Sequence, residues 1–171
     1  MKKLVALICF IGAGLWLHGE DKRPDKPNVL LMLVDDLGWQ DVVCYDLDEP
    51  CPYETPNLDK LAKRGVLFRN GYSPAPVCSP SRCAIMSGKH PARTMSTTVA
   101  SGKPLSAHHP QNSFIAPWCR GGMDTKEITI AEALKSNGYR TGHVGKWHIA
   151  IQHYAFPQPS DEGFDFTSHY A

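Results

Sequence analysis

Residues 29–34, Val-Leu-Leu-Met-Leu-Val, form an unbroken apolar run that stops at two acids, Asp35 and Asp36. The run is short and carries no polar residue at helical spacing, so it suits a strand buried on both faces. Strands of that kind belong to parallel sheets covered by helices. The chain is therefore expected to adopt an α/β fold, a mostly parallel sheet with flanking helices. Ligands of such sheets gather beyond the carboxyl ends of the strands, and Asp35 and Asp36 stand at that end. Adjacent carboxylates repel one another unless something positive sits between them, and a hard divalent cation is the natural partner. The plainer alternative is a solvated Asp-Asp turn before Gly38.

The residues ahead of this run read as a targeting segment. Lys2 and Lys3 supply a positive start, and Leu4 to Leu17 is apolar and uncharged, the pattern of a cleaved signal peptide. A bilayer span needs about 20 residues, so no stable membrane span is expected here. The boundaries are a signal peptide over 1–19, a polar, proline-marked linker over 20–27, and a folded region from 28 to 171. Export to a periplasm or beyond follows, and disulfides are then permitted. Cys44 with Cys51, in one loop, and Cys83 with Cys119 are the candidate pairs; Cys83 also reads as a buried helix residue. The chain has 171 residues and a formal charge of +1 with acids and bases interspersed. That length supports a real core, and the absence of a basic patch argues against a nucleic-acid partner.

Downstream, Thr55 is placed to cap a helix that starts at Pro56 and stops at Gly65, with Leu58, Leu61 and Ala62 on its apolar stripe. Val66-Leu67-Phe68 reads as a second short strand, completing a βαβ unit whose strand ends share one edge. Residues 90–124 lack any clear period and read as a long surface loop, either functional, as part of a cleft wall, or partly disordered. His90, His108 and His109 fit solvated loop positions, and a zinc site on Cys78, Cys83 and His90 matches no usual spacing. Thr129-Ile130-Ala131-Glu132 is a capping box, followed by a stripe of Ile130, Ala133 and Leu134 and a stop at Asn137-Gly138. Tyr139 to Val144 is the next expected strand. Beyond it, alternation puts Lys146 and His148 on one face and Trp147 on the other.

Between these elements lies Ser73-Pro74-Ala75-Pro76-Val77-Cys78-Ser79-Pro80-Ser81-Arg82, continuing to Ser87-Gly88. The prolines fix φ and extend the residues before them, which leaves Cys78 on a stiff loop. Pro80 fits the first turn of a helix with Cys78 or Ser79 as its cap, and Arg82 faces that end one turn on. The string C-x-P-x-R resembles the signature of the type I sulfatases, within the alkaline phosphatase superfamily. Val34-Asp35-Asp36-Leu37-Gly38 and Gly145-Lys146-Trp147-His148 resemble two further motifs of that family, in the same order. Ser87-Gly88 stands where the family usually has Thr-Gly, which keeps a hydroxyl. The resemblance runs from about Asn28 to Phe166.

The resemblance implies hydrolysis of sulfate esters. In the family the signature cysteine is converted to Cα-formylglycine by a maturation enzyme, here at Cys78, and the hydrate of that aldehyde is the nucleophile. Asp35, Asp36 and residue 78 are then implied ligands of Ca²⁺ or another divalent cation. Arg82 is implied to steady the formylglycine, Lys146 to offset charge at the sulfate, and His148 to hydrogen-bond the diol. The substrate class is a sulfated small molecule or glycan. Gly163-Phe164-Asp165-Phe166 resembles a structural turn of the family, and neither Asp161 nor Asp165 is read as a ligand. Family members are several times longer and supply a further metal Asp-Asn pair, a Lys and a His, so this chain reads as an N-terminal portion that is inactive alone. Ca²⁺ takes about 6–8 oxygens, more than these residues offer. The alternatives are a phosphonate or phosphodiester hydrolase of the same superfamily and a non-catalytic fragment. A cysteine phosphatase is disfavoured, because three residues separate Cys78 from Arg82 where those loops place five.

Overall fold

The computed structural model describes residues 25–45, 49–101, 118–150 and 157–170. The proposed signal peptide, His108 and His109 lie outside them. The chain divides into two units, Met1–Val34 and Asp35–Ala171. In the first, the described residues 25–34 form neither helix nor strand, and all are exposed. The strand expected at 29–34 is therefore not formed, and Leu30 is 85% exposed. Apolar content states a preference for burial, but a strand also needs a neighbour to complete its hydrogen bonds. Val66-Leu67-Phe68 departs from expectation in the same way: it is irregular, with Val66 and Phe68 exposed.

Among the described residues the second unit carries four helices, α1 (Pro56–Arg64), α2 (Cys78–Ser87), α3 (Pro91–Thr94) and α4 (Ile130–Ser136), and two strands, β1 (Gly142–Lys146) and β2 (Phe166–Tyr170). The strands pair in parallel, Gly142 opposite Phe166 and Lys146 opposite Tyr170. The Trp147 N–H continues the ladder to the Tyr170 carbonyl at 3.0 Å. This parallel pair with flanking helices is the α/β arrangement expected, although β1 begins three residues later than the apolar pattern from Tyr139 suggests.

Local chemistry explains where the helices begin and end. Pro56 opens α1 and Gly65 closes it, as read from the sequence. The Thr55 hydroxyl does not cap the helix; it accepts from the Val43 N–H and donates to Asp59, tying α1 to the preceding 3-10 turn. Leu61 on the expected stripe is 60% exposed. The α4 capping box forms with both reciprocal bonds, Glu132 N–H to Thr129 Oγ1 at 3.2 Å and Thr129 N–H to Glu132 Oε2 at 2.8 Å. The Thr129 hydroxyl also donates to the Glu162 carbonyl at 2.8 Å. That anchor turns Ala131 inward, 1% exposed, and leaves Ile130 and Ala133 outward, against the expected stripe.

The core is a cluster of Cys83, Met123, Trp147, Ile149 and Ala150, with Met86 and Phe164 packed against it. Trp147 meets His143 and Phe164 edge-on and donates from Nε1 to the Pro157 carbonyl at 3.1 Å. The expected disulfides are absent: Cys44, Cys51, Cys83 and Cys119 are free thiols. Cys83 is the buried helix residue of the alternative reading, and burial pushes its thiol up to about 12. Asp161 and Asp165 are structural, as expected. Asp161 accepts from the Gln158 N–H, and Asp165 accepts from the Thr141 N–H and pairs with Lys135.

The 3-10 turn Pro159–Glu162 ends at Gly163, whose φ is +88°. A Cβ there would sit 2.7 Å from the Glu132 backbone nitrogen, whereas one on Gly88, φ +66°, would meet nothing within 4 Å. Gly88→Ala is expected to lose about 1 kcal/mol through the left-handed backbone alone, and Gly163→Ala clearly more, because α4 must also move. Chemical denaturation of the two variants checks the order; equal losses would refute the packing argument.

Candidate active site

Three elements that are distant in sequence converge at the amino end of α2. The helix starts at Cys78, with Val77 as its extended cap residue, one position earlier than the sequence suggests. The Ser81 hydroxyl holds the proline-marked loop against this first turn, 2.9 Å from the Ala75 carbonyl, 2.8 Å from that of Val77 and 3.0 Å from Ser73 Oγ. The loop is thus stiffened by its prolines and also stitched to the helix it feeds.

Arg82 lies one turn further on and is 7% exposed. Its Nη1 donates to the Lys146 carbonyl at 2.6 Å and its Nη2 to Asp35 Oδ1 at 2.8 Å. The other Asp35 oxygen accepts from Lys146 Nζ at 2.5 Å. One carboxylate therefore bridges two cations brought from α2 and the end of β1. Hydrogen bonds from Arg82 and then Lys146 hold the Asp35 carboxyl down to about 2, and Asp35 in turn raises Lys146.

Beyond β1 the chain alternates as the sequence predicts. Trp147 and Ile149 enter the core, while Lys146 and His148 face the site. His148 adopts φ +52°, a left-handed conformation that a β-carbon normally disfavours. Its Nδ1 lies 3.2 Å from Cys78 Sγ. Burial, then Lys146 and Arg82, lower its basicity below the ordinary histidine value, which favours the neutral ring near pH 7.

Asp35, Cys78, Arg82, Lys146 and His148 are thus brought together, five of the six residues singled out in the sequence. Asp36 is exposed, with φ +55°. The expected cage of Asp35, Asp36 and residue 78 does not form: among the described residues no three His, Cys, Asp or Glu side chains gather around a common point. Both Asp35 oxygens already accept from cations. The donors described here do not by themselves complete a divalent-ion site. The zinc alternative fails too, since Cys83 is in the core and the His90 ring caps α3 by accepting from the Ala92 N–H at 3.2 Å.

Sequence reasoning missed Ser79 as part of this site. It reads only as a possible helix cap, yet it is 2% exposed and its hydroxyl donates to the His148 carbonyl. No local signal reveals an acceptor so distant in the chain.

The site sets Cys78, at a helix start, beside a neutral imidazole and two cations that share one carboxylate. Comparison with known proteins gives the class. The Sulfatase family model matches residues 27–170, and the chain belongs to that family. It is 40% identical over 149 residues to N-acetylgalactosamine-6-sulfatase of Homo sapiens, which covers 86% of this chain and 26% of that protein. Arylsulfatase A of Homo sapiens is 35% identical over 93% of this chain and 27% of its own length. The solved structure of Ps i-CgsB superposes with a TM-score of 0.62 at 32% identity, over 85% of this chain and 28% of that one. BT33336S-sulf, tied to metabolism of multiple glycosaminoglycans in Bacteroides thetaiotaomicron, gives 0.59 at 32% identity, over 80% and 26%. The chain spans about a quarter of the length of these relatives.

The folded-state value of Asp35 lies below its ordinary 3.8, so the stability it contributes is present above that value and lost as pH falls through about 2. Carboxyl-carbon NMR titration should place its midpoint near 2, and Lys146→Met should raise it. A midpoint close to 3.8 would show that the bridge does not persist in solution.

Proposed function

We propose that the protein carrying this chain hydrolyses sulfate esters, with residue 78 as the site of the nucleophile. The observation that supports this most directly is the 3.2 Å approach of His148 to Cys78, beside two cations bridged by one carboxylate. Conversion of Cys78 to formylglycine by a maturation enzyme would supply a hydrated aldehyde, whose hydroxyl is a stronger candidate nucleophile than a serine-like alcohol. The surrounding residues fit that group: the helix start is held rigidly and the imidazole is within reach.

The chain's own residues then have definite tasks. Arg82 and Lys146 against Asp35 leave one net positive charge at the site, the right sign for a sulfate monoester with its single negative charge. Arg82, held by Asp35 and the Lys146 carbonyl, fixes α2 relative to the end of β1. Lys146 Nζ offsets charge that builds on the sulfate oxygens. Neutral His148 can take a proton at Nδ1 from a hydroxyl at position 78. Because burial lowers the basicity of His148, that role is filled at neutral pH and lost on acidification. Ca²⁺ or another divalent ion would be held by Asp35, Asp36 and residue 78 and would polarise the sulfate; the donors described here do not complete such a site. The substrate class is a sulfated small molecule or glycan, and Lys2, Lys3 and the apolar run after them support export.

In a host with the maturation enzyme, carbonyl trapping and peptide mass spectrometry should find an aldehyde at position 78. Aryl sulfate should be hydrolysed in preference to aryl phosphonate. Cys78→Ala should abolish turnover, and Lys146→Ala should cost about a hundredfold in kcat/KM. A fully alkylatable thiol at 78 in that host, or faster turnover of the phosphonate, would overturn this reading.

A further inference from the structure

Ser79 occupies the unspecified second place of C-x-P-x-R, where the chemistry above asks nothing of it. Its environment is nonetheless specific. The side chain is 2% exposed and engages two segments at once. The hydroxyl donates to the His148 carbonyl and accepts from the Ala100 N–H at 2.9 Å. Both the donor and an acceptor lone pair are thus used, so a side chain without oxygen would strand a buried N–H and a part-buried carbonyl.

The partner it holds is the one that needs holding. His148 sits at φ +52° with no glycine to relieve it, and such a conformation persists only where its surroundings over-determine it. Ser79 is covalently next to Cys78, in the same helical turn. One hydrogen bond therefore ties the His148 backbone to the turn that carries the reacting side chain. The imidazole is fixed from behind while Nδ1 approaches Cys78 Sγ at 3.2 Å. The Ala100 bond extends the same anchor to residues 95–101, which pair with the opposite side of the loop through Ser101 N–H to Gly121 O and Arg120 N–H to Met95 O.

We propose that Ser79 is a positioning residue whose hydroxyl sets the placement of the His148 ring against residue 78. This rests on the reading of His148 as the proton-handling partner of that residue.

The test uses Ser79→Thr and Ser79→Val in the protein that carries this chain. The two variants match in volume and differ by the hydroxyl, so both face the same packing. Formylglycine content is measured by mass spectrometry and rates are expressed per converted site, because Ser79 lies within the recognised string. Ser79→Thr should keep kcat within about twofold, while Ser79→Val should lose about tenfold or more in kcat with little change in KM. In a crystal structure of Ser79→Val the His148 ring should be displaced from residue 78 or spread over alternate positions; in Ser79→Thr it should stay in place. An unmoved ring in Ser79→Val, or an unchanged kcat per converted site, would overturn the proposal. The underlying reading is tested separately by His148→Ala: unchanged turnover there refutes the role of His148, whereas the ring position in Ser79→Val still reports whether Ser79 places it.

Discussion

The site is organised by one carboxylate shared between two cations. Arg82 comes from α2, Lys146 from the end of β1, and Asp35 from the turn that begins the second unit. Without Asp35, a nearly buried guanidinium and a half-buried ammonium would face one another unscreened, each raising the cost of placing the other. With it, both are oriented by hydrogen bonds at 2.8 and 2.5 Å. Arg82 adds a bond to the Lys146 carbonyl, so the same guanidinium fixes both the charge and the backbone of its neighbour. The value of this arrangement lies in geometry more than in strength, since partly exposed ion pairs contribute little net stability.

Behind that charged layer the core is built from the same short segments. Cys83, next to Arg82, and Met86, one turn further along α2, enter that core, and Trp147 and Ile149 interleave with Lys146 and His148. Side chains that pack and side chains that react are carried on one stretch of backbone and point opposite ways. The parallel bond from Trp147 to Tyr170 then extends the β1–β2 ladder to the point where the site begins.

Much of this was legible because it depends on neighbours in sequence. Proline at 56, glycine at 65 and the Thr129–Glu132 box act within one turn, and each marks a helix end to within a residue, while Pro80 places the start of α2 to within two. Alternation after β1 is also local, and it separates Trp147 from Lys146 and His148 correctly. What failed depends on a partner elsewhere. The run at 29–34 and the triplet at 66–68 have the composition of strands but lack a paired neighbour among the described residues. The face of α4 was misjudged because the Thr129 bond to Glu162, far along the chain, sets its rotation. The cysteine pairs failed for the same reason, since spacing cannot say whether two thiols converge. Asp35 is engaged by two cations and Asp36 is turned outward, so no shared metal cage of these acids is seen among the described residues. Ser79 was invisible because its partner is contributed by a distant segment.

The interleaving of residues 146–149 has a consequence for how this protein can vary. In most folds, a change in core volume is absorbed by small backbone shifts that leave the surface indifferent. Here any adjustment that accommodates a different side chain at Trp147 or Ile149 displaces Lys146 and His148 by a comparable amount, because they share peptide units. Interior and chemistry cannot drift separately over these four positions. A substitution chosen to make the interior more robust would be felt as a change in rate, and the tolerance of the segment is set by whichever of the two demands is narrower.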